Sequence, residues 1–302
     1  MRIVYFIILF TFVCNYAKNQ GLTNSLANIS HENLLDNPWF TVNQRGASSY
    51  NSGYSIDRWR VVGNAATLTV NSDSIVFTTS AAYNNLMQPI EKGVLKDGQT
   101  YTLSLLLGDG TIFSKSFVFK DSSSYKKIYN TTLGGFYGTY RTATSYIEFI
   151  IIDSASSSES SVTIKAAKLE LGTVSTLAMD TVPNYQQELA KCQRYYEKNS
   201  WYSWYVQANY DGFINLMTSY PFLVKKRVDN ITTNILKQNI GNGQLIDLTT
   251  STIIPSSEVT ISQPMAYNSR MECVKITHNS IISGHTYYFS IGDDCIAFSA
   301  DL

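Results

Sequence analysis

Cleaving a glycan requires two carboxylates facing each other across a groove, one of them held protonated. In this 302-residue chain, proximity offers Asp153 with Glu159 and the adjacent Asp293 and Asp294. Neither pair has a context that aims both groups at one atom, and Asp293-Asp294 reads as a Gly-Asp-Asp turn. The histidines, His31, His278 and His285, lie in loops or at strand ends without a G-x-S-x-G elbow to supply a nucleophile. They read as surface or hydrogen-bonded side chains. There is no P-loop, dinucleotide fingerprint or EF-hand loop. Cys14, Cys192, Cys273 and Cys295 form no C-x-x-C pair and have no histidine at ligand spacing, so zinc is not expected. They read as reduced, buried thiols, with a Cys273–Cys295 disulfide as the alternative.

The chemistry that stands out is aromatic. Trp201-Tyr-Ser-Trp-Tyr205 is followed by Tyr210-Asp-Gly-Phe213. On a strand, Trp201, Ser203 and Tyr205 face one way, Tyr202 and Trp204 the other. One set fills a core and the other is offered to a ligand, or both are buried. Aromatic faces stack on the C–H faces of sugar rings, while Asp, Asn and Gln bind the hydroxyls. The carbohydrate-site candidates are therefore Tyr202, Trp204, Tyr205, Tyr210 and Asp211.

Strands must carry these residues. Lys+Arg and Asp+Glu both number 23, so no net field draws the chain to nucleic acid, which is not an expected partner. Only 15% of residues are charged against 13% aromatic, a composition that suits extracellular β-proteins. Met1 to Cys14, with its basic Arg2, is shorter than a membrane-spanning helix, so 1–17 reads as a signal peptide or apolar leader and no membrane span is expected. Residues 18–32 read as a linker. From 33 to 172, strands are expected at Ala66 to Val70, Ser74 to Thr78, Gln99 to Leu107, Ile112 to Phe119, Tyr146 to Ile152 and Ser161 to Leu171, with Asn/Asp/Ser/Gly turns between. The sequence also predicts a strand through Phe40 and Val42 and another over Tyr54 to Trp59. Trp39, Tyr54 and Trp59 are expected in the core, and Asp57 with Arg58 as an internal ion pair or turn contacts. A linker over 173–183 leads to a connecting helix over 184–199, capped by Asn184, with Tyr185, Leu189, Cys192 and Tyr196 on its apolar face. Residues 200–302 return to strands as a smaller β-rich tip domain.

The order N-L-L-x-N-x-x-F-x-x-N-Q-R-G, here Asn33 to Gly46, and Y-x-x-D-R-W, here Tyr54 to Trp59, resembles the opening of tail-fibre and receptor-binding proteins of tailed bacteriophages. Gly98-Gln-Thr-Tyr-Thr-Leu-Ser104, Lys168-Leu-Glu-Leu-Gly172 and Glu188-Leu-Ala-Lys-Cys-Gln-Arg-Tyr-Tyr196 are similar to later phrases of the same family, as are Tyr220 to Val228 and Ile296 to Leu302. Ala166 stands where the family usually carries Trp. The leader also departs from the family pattern.

The resemblance implies a mainly β protein: a jelly-roll-like, carbohydrate-binding-module-like β-sandwich, a short connecting helix and a smaller C-terminal β-domain. It implies a non-catalytic virion tail fibre for host attachment, binding cell-surface polysaccharide or glycan, and a homotrimer. A jelly-roll module also holds calcium in some cases, for which Asp36, Asp109 and Asp153 are the ligand candidates; no other cofactor is expected. The alternatives are a secreted carbohydrate-binding lectin, which the leader and the sequons at Asn28, Asn130 and Asn230 suit, and a polysaccharide depolymerase.

Overall fold

The computed structural model describes residues 31–155, 157–198, 202–221, 226, 232–235, 243–267, 270–291 and 296–299. The chain is mainly β. Its first part forms β1 (Ser49–Tyr50), β2 (Gly53–Tyr54), β3 (Arg60–Val62), β4 (Ala66–Val70), β5 (Ile75–Thr79), β6 (Asn85–Glu91), β7 (Thr100–Leu107), β8 (Ile112–Val118), β9 (Lys126–Leu133), β10 (Phe136–Thr142), β11 (Tyr146–Ser154) and β12 (Ser160–Leu171). One antiparallel sheet runs β1-β4-β5-β12-β7-β8 and the second runs β2-β3-β6-β11-β10-β9. Their inner faces share one core, in which Trp59, Leu68, Phe77, Leu103, Phe149 and Leu169 are fully buried, giving a sandwich-like arrangement. Alternation in Tyr101, Leu103 and Leu105 aims these side chains at that core, as the period of two requires.

The outer faces differ. Across the first sheet lies the segment after β12, which was expected to be a bare linker. Thr102 Oγ1 donates to Gly172 O at 2.8 Å, and Ser116 Oγ donates to Thr173 O at 3.0 Å. Buried Lys168 reaches Thr176 Oγ1 at 2.9 Å and Asp180 Oδ1 at 2.8 Å, and Glu170 accepts from Thr176 N at 2.8 Å. An ammonium buried this deeply needs such partners. Among the described residues, no such strap lies over the face of the second sheet that bears Tyr137 and Asp153.

Two strands expected near the start are turns instead. Asn37 and Phe40 adopt φ of 49° and 57°, and Arg58 adopts 72°, so neither stretch can alternate as a strand. The buried Asn37 side chain shapes the first turn: its amide donates to Val42 O and Asp57 O, and its carbonyl accepts from Val42 N at 3.0 Å. Asn tolerates the left-handed region better than most residues. The second turn is closed by Ser55 N on Trp59 O at 2.9 Å. Trp59 is buried as expected and packs on Phe40 at 5.2 Å, whereas Tyr54 and Trp39 are only half-buried.

The helix α1 (Tyr185–Gln193) begins where expected, with the Asn184 side chain accepting from Gln186 N and Gln187 N, but it stops five residues before Lys198. Tyr196 belongs to β13 (Tyr196–Lys198). The expected apolar face is corrected as well: Tyr185 is exposed, and the buried positions are Glu188, Cys192 and Gln193. Tertiary partners override the helical period here. Glu188 Oε1 accepts from Asn37 N at 2.6 Å. Arg58 lies 3.4 Å over the Tyr195 ring, and Arg45 lies 3.8 Å over Tyr196. Gln44 Nε2 donates to Asp57 at 2.7 Å and to Tyr196 O at 2.8 Å, and Arg58 pairs with Asp36 at 3.0 Å. The opening phrase and the Glu188 to Tyr196 phrase thus pack on one another as a buried joint. Cys192 is a free, buried thiol within it.

The later strands are β14 (Tyr202–Gln207), β15 (Phe213–Pro221), β16 (Thr232–Ile235), β17 (Leu245–Asp247), β18 (Thr252–Ile254), β19 (Thr260–Tyr267), β20 (Arg270–Thr277), β21 (Thr286–Ile291) and β22 (Ile296–Ser299). They form sheets β13-β22-β16, β14-β21-β17-β18 and β15-β20-β19. Asp293, Asp294, Cys295 and Cys14 lie outside the described residues, as do the sequons at Asn28 and Asn230. Among the described residues, no helix is long and apolar enough to cross a membrane.

Candidate functional site

The uncovered face of the second sheet holds a groove of about 530 Å³, built from two transverse rows of side chains. The first row runs Val62, Asn85, Asp153, Tyr137, each directly opposite the next across β3, β6, β11 and β10. The second runs Met87, Ile150, Thr139, Lys127 across β6, β11, β10 and β9. Ile150 and Asp153 are three residues apart on one strand, so simple alternation cannot put both on the same face. A β-bulge does so. The pairing with β6 loses register between Ile150 and Ile152 and the pairing with β10 between Ile150 and Asp153, and Ile151 and Ile152 are both buried in the core. The buried Tyr129 hydroxyl donates to Ile151 O at 2.6 Å, which satisfies the backbone that the bulge frees. Gly138 leaves room for that tyrosine, since a Cβ there would sit 2.3 Å from the Tyr129 ring.

Three tyrosines wall the groove. Tyr83 is 78% exposed and held at φ 63°, a conformation that is strained in a bulky residue, while its N–H donates to Ser154 O at 2.9 Å. Tyr125 is oriented by its hydroxyl on Glu148 Oε2 at 2.9 Å and by Arg141, whose guanidinium lies 4.8 Å from its ring centroid. Arg141 grips both Glu148 oxygens, at 2.5 and 2.8 Å, and this contact holds the carboxyl below the usual carboxylate range. Burial and the Glu148 bond push the Tyr125 hydroxyl up to about 12. Lys127 sits at the rim, 5.7 Å over the Tyr137 ring.

The floor is polar and incomplete. Asn85, Thr139 and Asp153 are each more than nine-tenths buried, yet Asn85 Oδ1, Thr139 Oγ1 and Asp153 Oδ1 have no protein hydrogen-bond partner. Buried polar atoms are normally paired, and leaving one unpaired costs about 1–3 kcal/mol. Burial pushes the Asp153 carboxyl up to about 6, against hydrogen bonds from Tyr137 and the Ser154 backbone that lower it. Tyr137 is raised in turn, by burial and then by the Asp153 charge. Such a concave site, with aromatic walls and convergent polar groups, is built for a small polar ligand.

The sequence-predicted site residues lie elsewhere. Tyr205 is 75% exposed and packs on Tyr288, its partner in register, with ring centroids 5.4 Å apart. Trp204 pairs in register with Phe289 and Tyr202 with Ile291, but the side chains of Tyr202 and Trp204 lie outside the described part. Tyr210 stacks on Phe213 at 4.9 Å and 11°. Asp211 Oδ1 accepts from Ser283 N at 2.7 Å, which ties two loops together. None of this set lines the 530 Å³ groove.

The other candidates from sequence find separate partners. Glu159 is exposed and does not line the groove with Asp153. His31, His278 and His285 each meet a carboxylate: Glu170 at 3.4 Å, Glu258 at 3.2 Å and Asp247 at 2.7 Å. The three calcium-ligand candidates do not converge: Asp36 holds Arg58, Asp109 holds Thr111 and Asp153 floors the groove. Among the described residues, no group of three or more His, Cys, Asp or Glu side chains could hold a metal ion. A second cavity of about 610 Å³, lined by His31, Leu34, Val94 and Leu171, adjoins the first described residue and lacks a cluster of unpartnered polar atoms.

Sequence reasoning missed Tyr83, Asn85, Tyr125, Tyr137 and Thr139. The signal was Ile150-Ile-Ile-Asp153, a break in alternation that marks a bulge. No family model matches the chain, and no curated protein matches it. Among solved structures, a C-terminal part of the P. aeruginosa R1 pyocin fibre is similar at 8% identity, over 89% of this chain and 90% of that one, with a TM-score of 0.19, a likeness too slight to support any argument.

Proposed function

We propose that this chain is a non-catalytic adhesin that holds a cell-surface glycan in the groove of the second sheet. The observation that carries the reading is the set of unpartnered acceptors on Asn85, Thr139 and Asp153 beneath the rings of Tyr83, Tyr125 and Tyr137. Sugar hydroxyls complete the floor, and ring faces of the sugar lie against tyrosine. Binding is favoured over cleavage because Asp153 is the one carboxylate among the described residues that line the groove, and Glu148, a further carboxylate on this face, has both oxygens taken by Arg141 and one also by Tyr125, and so cannot activate water.

The sequence phrases from Asn33 to Tyr196 support placing the adhesin at the end of a tail fibre of the tailed-phage type, carried on a virion. In this reading the sandwich is a jelly-roll-like, carbohydrate-binding-module-like unit, with β5–β12 and β6–β11 as its nested pairs. The tip domain is carried beyond the joint. Three copies in a homotrimer would convert weak sugar contacts into firm attachment through effective concentration. Exposed Tyr205 on Tyr288 favours a second, shallower sugar contact in the tip domain.

A glycan and whole-cell screen with wild type and Tyr125→Ala tests the reading, run beside an assay for new reducing ends. Binding without new ends, weakened about tenfold or more by Tyr125→Ala, supports it. New reducing ends would replace it with the depolymerase. A secreted lectin is separated by the N-terminus of the mature protein: cleavage near Ala17 favours export, and an intact Met1 in virions excludes it.

A further inference from the structure

We infer that the groove selects an uncharged sugar presenting two adjacent hydroxyl donors, one to Asn85 Oδ1 and one to Asp153 Oδ1, and that it discriminates against acidic sugars. This rests on the groove being the glycan site and names what it takes. Asn85 and Asp153 stand directly opposite each other on β6 and β11, so their side chains are nearest neighbours on one sheet face. Both unpartnered atoms are oxygens that only accept when the carboxyl is ionised. Two side-by-side acceptors call for two side-by-side donors, which neighbouring ring hydroxyls supply. The Thr139 hydroxyl, one row away on β10, can donate or accept and suits a third oxygen of the same ring.

The sign of the selection follows from depth. The groove holds one carboxylate and one ammonium. Asp153 is 6% exposed and forms the floor, whereas Lys127 is exposed at the rim and screened by solvent. At pH 7.5 the Asp153 carboxyl is ionised, because its raised value is still only about 6. A ligand carboxylate brought to this floor meets a like charge at low dielectric and another group that only accepts.

The test is titration of the full chain with methyl glycosides of glucose, galactose and mannose, and with the matching methyl uronides, followed by saturation-transfer NMR at pH 7.5. Wild type is expected to bind at least one neutral glycoside tenfold or more tighter than its uronide. Asp153→Asn, which keeps the shape and removes the charge, is expected to narrow that ratio to within about threefold, with Tyr137→Ala abolishing both signals. Uronides binding as well as neutral glycosides, with both signals lost in Tyr137→Ala, would overturn this selection and leave the groove as a glycan site. A neutral preference that Asp153→Asn does not change would overturn the role given to Asp153. Absence of any signal from all six glycosides would overturn the groove reading itself, and this inference with it.

Discussion

The joint and the groove are made from the same materials, buried amides, carboxylates and tyrosines, and they differ in whether those groups meet. In the joint, Asn37, Gln44, Asp57 and Glu188 reach one another or each other's backbone, and Arg58 fills the space between Asp36 and Tyr195. In the groove, Asn85, Thr139 and Asp153 are also buried, but each leaves an oxygen without a protein partner. Amides and carboxylates that meet in this way fix geometry, while the unmet acceptors of the groove are a standing cost that a ligand can remove. The joint is therefore architecture, and under the proposed function the groove is where ligand binding takes priority over stability.

The comparison breaks most severely at Arg58. Arg58→Ala strands Asp36 and empties the space over Tyr195, and should cost about 3–5 kcal/mol in urea unfolding. Glycan binding per folded molecule should be unchanged. Next is Tyr137→Ala, which removes a wall and a donor to Asp153 and should weaken glycan binding by about 1.4–2.8 kcal/mol, roughly ten- to a hundredfold, measured by calorimetry. Gly138→Ala should cost about 1–3 kcal/mol by thermal unfolding, because the Tyr129 ring must leave the space it shares with the bulge.

A smaller effect concerns pH. A carboxyl whose folded value is raised to about 6 contributes stability that is fully present below the ordinary carboxylate value and lost as pH rises through about 6. Its charged and titratable neighbours are Tyr125 just before β9, Lys127 on β9, Tyr129 within the sandwich, Tyr137 on β10 and Tyr83 just before β6. Wild type should therefore lose about 1–2 kcal/mol between pH 4 and pH 7 through this group, and Asp153→Asn should remove that part of the slope in urea titrations. Smallest is Tyr205→Ala, which should shift stability by no more than about 0.5 kcal/mol because the ring is exposed.

What could be read from the sequence follows the same division. The strands at Ala66–Val70 and Thr100–Leu107 were legible because alternation and flanking turns point the same way. The Asn184 cap was legible because its hydrogen bonds are local. The turns at Asn37 and Arg58 were not, since their φ values are imposed by partners far along the chain, and helix α1 ended early for the same reason. The phrases from Asn33 to Trp59, whose aromatics were expected in the core, supply one side of the buried joint. Asn85, Lys127, Tyr137 and Thr139 lie on strands that were unmarked, β6, β9 and β10, and they meet Asp153 only through cross-strand register and a bulge that moves it to the outer face. Trp201 to Tyr205 drew attention because aromatics are clustered in sequence, whereas Tyr83, Tyr125 and Tyr137 are clustered only in space.

The most direct test sets the two aromatic regions against each other on one glycan array, probed with wild type, Tyr137→Ala and Tyr205→Ala at equal folded concentration. The account predicts that signals seen with wild type fall at least tenfold with Tyr137→Ala and persist with Tyr205→Ala. Signals that survive Tyr137→Ala and vanish with Tyr205→Ala would contradict it and move the glycan site to the β14–β21 face.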